Sequence, residues 1–182
     1  MRTAACTLVF MILLLGCGAP AATAGAMDDE IVVETSATLP VAYDVDVLVA
    51  GASLSGVEAA CAAAKKGASV LLIASRPYFG YDLCATQRLW LEQGEKPQTA
   101  LTRSIFGTNL VATPMQVKNA LDKALLGAGV QVLTGCYAVD VLFAAEGGGS
   151  CGVVMVNRSG RQIIRAKVII DATDQAAITR CT

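Results

Sequence analysis

AGASLSG, residues 50–56, stands between an apolar run and an alanine-rich stretch, and its reading decides the fold. Before it comes VDVLVA (45–50), short, β-branched and almost continuously apolar, as a strand buried on both faces must be. After it, VEAACAAAKK (57–66) combines strong helix formers with two lysines at the C-terminal end, and Gly67 is its stop. VLLIA (70–74) then supplies a second buried strand. Strand, glycine turn, helix and strand within about 30 residues make a β-α-β unit, whose crossover is right-handed.

A helix that starts straight after such a turn points unpaired N–H groups and the positive end of its dipole at whatever lies in front, a ready anion site. In the pattern G-x-G-x-x-G the first glycine permits the tight turn, the second lets a pyrophosphate approach the backbone, and the third lets helix and strand pack closely. Gly51 and Gly56 fill the first and third roles, and Ser53 stands in the second. Serine is small and its hydroxyl can donate to a phosphate oxygen, so the loop is weakened rather than abolished. The candidate anion-binding residues are therefore Gly51, Ala52, Ser53, Leu54, Ser55 and Gly56. The alternative is a tight strand-to-helix turn that holds no ligand. A dinucleotide loop also calls for an acidic residue at the end of the second strand to accept from the ribose, and Ala74 stands there. Losing that charge-assisted pair costs on the order of 1.5–3 kcal/mol unless Ser75 or Arg76 substitutes.

Residues 76–106 read as irregular, with the only tryptophan, Trp90. Thr113 and Pro114 then start a helix as N-cap and first residue, with Val117, Ala120, Leu121, Ala124 and Leu125 on one face and Gly127 and Gly129 ending it. Three β-rich runs follow (131–143, 152–157 and 162–172), separated by AAEGGGS and RSG. They read as an antiparallel meander returning into one last buried strand, KVIIDAT.

With 54% hydrophobic and 16% charged residues, the 182-residue chain suits one domain with a buried core. Part of that hydrophobicity has another cause. Arg2, the apolar block 8–15 and the small-residue stretch GCGAPAATAGAM have the layout of a secretory signal over residues 1–26, too short in its apolar part to span a bilayer. Cleavage at one of the A-x-A sites ending at Ala24 or Ala26 would release a soluble secreted or periplasmic protein, whereas LLGC (14–17) resembles a lipoprotein box that would anchor the chain to the cell envelope at Cys17. Residues 27–43 read as a flexible lead-in to the domain that starts at Asp44. A net charge of −1 without a basic cluster argues against a nucleic-acid partner. Apart from Cys6 and Cys17, five cysteines remain with no C-x-x-C pair, so no zinc or dithiol motif is present. The chain has no histidine, which removes the commonest general base and metal ligand.

VDVLVAGASLSGVEAACAAAKKGASVLLIASRPYFG, GVQVLTGCYAVDVLF and AKVIIDATDQAA, in that order, resemble the FAD-dependent oxidoreductases built on the glutathione-reductase-type FAD domain. The resemblance covers most of residues 44–177 and implies an α/β, Rossmann-like FAD-binding domain: a parallel sheet plus a three-stranded antiparallel β-meander, which a plain NAD-binding domain would lack. It implies FAD as cofactor and hydride transfer through the flavin to a small-molecule substrate of unknown identity. It would place Gly51, Ser53 and Gly56 under the pyrophosphate, Arg76 on the adenosine or phosphate side, the Ala138 backbone at the adenine, and Thr173 near the FAD, with Asp174 where glycine is common. The family's chains are much longer, so residues 44–182 would be an FAD/NAD(P)-binding-like domain incomplete at its C-terminus, and catalytic residues near the flavin would lie beyond it. Cys84 has no partner cysteine nearby and is a poor redox candidate. A non-catalytic exported or lipid-anchored envelope protein that keeps the fold without the cofactor is the alternative.

Overall fold

The first strand is apolar on both faces because both faces are covered. The structure, a computed structural model, describes residues 38–143 and 150–181. Strand β1 (Val41–Ala50) and strand β2 (Val70–Ala74) pair in parallel, joined by helix α1 (Leu54–Lys65). Val47 and Val49 of β1 and Val70 and Leu72 of β2 face one core with Val57 and Ala60 of α1, while Leu48, Leu71 and Ile73 face a second core. The β-α-β unit therefore stands as expected. Its strand begins earlier than expected, however: Val41–Val45 pair with residues 163–166, so residues 41–43 of the anticipated lead-in are part of the sheet.

The segment expected to be irregular carries two short helices, α2 (Tyr81–Cys84) and α3 (Ala100–Phe106). Thr99 caps α3 through a reciprocal box with Thr102, and Ile105 and Phe106 carry it into the core. Its signal was local, a threonine followed three residues later by a second side chain able to reach back. Helix α4 (Pro114–Ala128) begins at the expected cap, where Thr113 and Gln116 form a capping box, and buries Val117, Leu121 and Leu125. It runs through Gly127 and ends only at Gly129, whose left-handed backbone (φ 70°) closes the last turn.

The run 131–143 is not one strand. Gly135, at φ 66°, breaks it into β3 (Gln131–Thr134), parallel to β2, and β4 (Tyr137–Phe143), antiparallel to β5 (Ser150–Asn157). Between them the Cys136 N–H donates to the Ala74 carbonyl at 3.0 Å, tying the kink to the end of β2. Strand β6 (Gly160–Asp171) pairs antiparallel with β5 over its first half and parallel with β1 over its second. The order is β3-β2-β1-β6-β5-β4. This is the expected parallel sheet with a meander of β4, β5 and the first half of β6. The meander folds back so that Val141, Val153, Met155 and Ile164 cover the face of β1 and β2 that the helices leave open.

Candidate functional site

In an open α/β sheet a ligand sits outside the carboxyl ends of the parallel strands where the chain leaves in opposite directions. Here β1 has β2 on one side and β6 on the other, and all three end together. Above those ends lies an open cleft of about 320 Å³. Ala50, Gly51 and Ala52 line it from β1, Ala74, Ser75 and Arg76 from β2, Tyr137 and Ala138 from the meander, and Thr173 and Asp174 from the turn after β6.

Gly51 makes the turn. Its φ is 106°, and a Cβ there would run into the Ala172 carbonyl, so only glycine fits. A Cβ on Gly56 would lie 2.5 Å from the Gly51 carbonyl oxygen, which is the close strand-helix packing assigned to the third glycine. Ser53 also has a structural job. It is the N-cap of α1, only 8% exposed, and its hydroxyl accepts from the Gly56 N–H at 3.2 Å and meets the Ser55 hydroxyl at 3.0 Å. The Leu54 N–H, first of the helix, donates to both carboxylate oxygens of Asp82 at 3.1 Å.

Of the sequence candidates, Gly51, Ala52, Ser75, Arg76, Ala138 and Thr173 are brought together along the cleft. Ser53, Leu54, Ser55 and Gly56 form the cap and first turn of α1, which follows directly on Ala52. Ala74 is 3% exposed and belongs to the helix-side core, so the exposed side chains at the end of β2 are those of Ser75 and Arg76.

The strap after β2, unread in the sequence, presses on this turn. The Gly80 N–H donates to the Ala52 carbonyl at 2.8 Å, and Gly80 has left-handed backbone (φ 70°) packed under Leu121 and Val117 of α4. Next to it the Arg76 guanidinium lies 5.6 Å from the Tyr81 ring centre. Burial, with the Asp174 carboxylate nearby, raises the Tyr81 phenol far above its ordinary range. Burial also raises the Asp82 carboxyl, against the pull of the Leu54 N–H. The visible signal was an aspartate just after Gly80, the first-turn acidic position of a helix. Cys84 is no thiolate, because burial raises its pKa despite Lys118 nearby.

At the other wall Asp171 orders the turn after β6. Its carboxylate accepts from the Thr173 N–H (3.0 Å) and hydroxyl (2.6 Å) and from the Thr179 N–H (2.8 Å) and hydroxyl (3.0 Å). The Thr173 hydroxyl in turn accepts from the Ala177 N–H at 2.8 Å. Burial works to raise Asp171, but these bonds together outweigh it and leave the pKa lowered. Among the described residues no cluster of three or more His, Cys, Asp or Glu side chains could hold a metal, and no helix is long and apolar enough to cross a membrane.

Residues 46–181 match the family described as FAD dependent oxidoreductase. The chain belongs to that family. FAD is accordingly the cofactor of this FAD dependent oxidoreductase domain. No curated protein matches it. Among solved structures it is similar to the THI4 protein of Thermovibrio ammonificans, with 24% identity and a TM-score of 0.62 over 76% of this chain and 61% of that one. It is also similar to a geranylgeranyl bacteriochlorophyll reductase-like protein of Thermoplasma acidophilum, with 20% identity and a TM-score of 0.55 over 76% of this chain and 42% of that one. Both likenesses are of fold, and the chain spans less than two thirds of either. The residues present suit a bound diphosphate: a turn at the strand ends that only glycine can make, followed directly by the N-terminus of α1. Asp82, on the Leu54 N–H, is at odds with a pyrophosphate held by that same N–H.

Proposed function

We propose that the chain carries the FAD-binding portion of an oxidoreductase that acts on a small-molecule substrate. The observation that supports this best is the cleft itself, open at the ends of β1, β2 and β6 and floored by a turn that only Gly51 can make. When bound, FAD supplies the redox chemistry by accepting or donating a hydride at the flavin, and the protein supplies orientation and electrostatics. The backbone of Gly51 and Ala52 and the start of α1 would hold the pyrophosphate, Ser75 and Arg76 the ribose and adenosine end, and the Ala138 backbone the adenine. Thr173, locked by Asp171, would direct the flavin end. Titration of the purified chain with FAD, FMN and NAD tests the assignment. FAD should bind tightest; absence of FAD binding, or tighter NAD binding, would sink it.

We further propose that residues 1–26 direct export to the periplasm or cell envelope, with lipidation at Cys17 as one of two processing routes; these residues lie outside those the structure describes. A single Arg2 without a twin-arginine pair implies the general route, which threads an unfolded chain. An unfolded chain cannot carry a non-covalent cofactor, so FAD would be acquired after export. The second reading, an exported protein that keeps the fold without the cofactor, is favoured by Asp82 on the Leu54 N–H. Flavin content separates the two: protein from the cell envelope should be largely apo, and the chain without residues 1–26, made in the cytoplasm, should carry more flavin. Flavin absent from both preparations would favour the second reading.

A further inference from the structure

The seat for a phosphate at the start of α1 already has an anion of the protein's own. Asp82 reaches the Leu54 N–H from 28 positions away. Two contacts bring it there: the Gly80 N–H on the Ala52 carbonyl and the packing of α4 side chains against Gly80. The carboxylate is partly desolvated, so it is held by the N–H and the dipole of α1 rather than by water. A pyrophosphate placed against the same N–H would meet a like charge within hydrogen-bond distance.

We propose that Asp82 is an internal stand-in for the cofactor's pyrophosphate: it caps α1 in the FAD-free chain and must be displaced for FAD to bind, so that it sets the cofactor's affinity. This rests on the glycine turn being the pyrophosphate seat. The strap of residues 80–86 is then a displaceable plug, and a neutral side chain at position 82 opens the seat.

The test is titration of the full-length chain with FAD, ADP and adenosine, comparing wild type with Asp82→Asn and Asp82→Ala. Both variants should bind FAD at least tenfold tighter. ADP, which carries the diphosphate without the flavin, should gain by a similar factor, and adenosine, which carries no phosphate, should gain nothing. Variants that remain folded by circular dichroism and bind FAD and ADP no more tightly than wild type overturn the proposal, as would an equal gain for adenosine. If the variants do not fold, amide exchange of the wild type decides. Saturating FAD should slow exchange in residues 51–57 and speed it in residues 81–85; slowing in both segments overturns the proposal. Failure of all three proteins to bind FAD or ADP removes the cofactor reading and the plug together, whereas wild-type binding without a gain removes the plug alone.

Discussion

A Cβ built on Gly51 would lie 2.2 Å from the carbonyl oxygen of Ala172 and 2.8 Å from the Thr173 nitrogen. The obstruction is backbone, so no rotamer change relieves it, and the φ of 106° is strained for any other residue. Gly51→Ala should therefore lose on the order of 3–5 kcal/mol, the range of severe single substitutions. In a thermal melt this should lower Tm by roughly 10 °C or more; a Tm within a few degrees of wild type would contradict the packing of β6 against the turn.

Ser53 separates capping from cofactor binding. Its hydroxyl takes the Gly56 N–H, so Ser53→Ala should cost about 1 kcal/mol, whereas Ser53→Gly should cost only a few tenths because glycine is itself an acceptable N-cap. The two melts should differ in that order. FAD affinity should change little for Ser53→Gly or improve slightly, since the second glycine of the pattern is restored.

Gly80 takes a left-handed conformation under two aliphatic side chains, with a built Cβ 2.6 Å from Leu121 Cδ1 and 2.8 Å from Val117 Cγ1. Those tips can move, but the φ of 70° cannot be relieved by them. Gly80→Ala should destabilise by about 1–2 kcal/mol. Faster protease cleavage within residues 76–86 should accompany it, since the Ala52 contact would loosen first.

Asp171 gives the pH dependence. Its folded pKa lies below the unfolded value, so its contribution to stability is fully present above the ordinary carboxyl range and is lost as pH falls through the folded pKa. Asp171→Asn should cost roughly 1–2 kcal/mol near neutrality, reduced by the site's partial exposure. Urea unfolding of the two proteins should converge as the pH is lowered below about 4. A difference that persists unchanged at low pH would mean that the carboxylate's charge is not what holds Thr173 and Thr179.

Much of this protein is written locally. The strand at 45–50, the turn at Gly51 and helix α1 follow from side-chain period, propensity and one residue type that alone tolerates its backbone angle. The cap of α4 at Thr113 and Pro114 is local in the same way, settled within one turn. So is the change from helix to meander after Gly129, because three short β-rich runs between turn formers allow little else.

What the tertiary structure decided involves residues far apart in the chain. The run 131–143 looks like one strand because its two halves share β-propensity, and only the pairing of one half with β2 and the other with β5 shows why Gly135 must kink. Val41 to Tyr43 look like a lead-in because their place in the sheet depends on β6, more than a hundred residues later. That Ser53 also caps α1, its oxygen accepting from the Gly56 N–H, is seen only once the helix start is fixed. The partner of Asp82 could not be read: it is the Leu54 N–H, 28 positions away, and no periodicity or spacing connects them. Propensity and pattern act over a turn or a strand, whereas a carboxylate finds a helix N-terminus only after Gly80 has been packed between the glycine turn and α4.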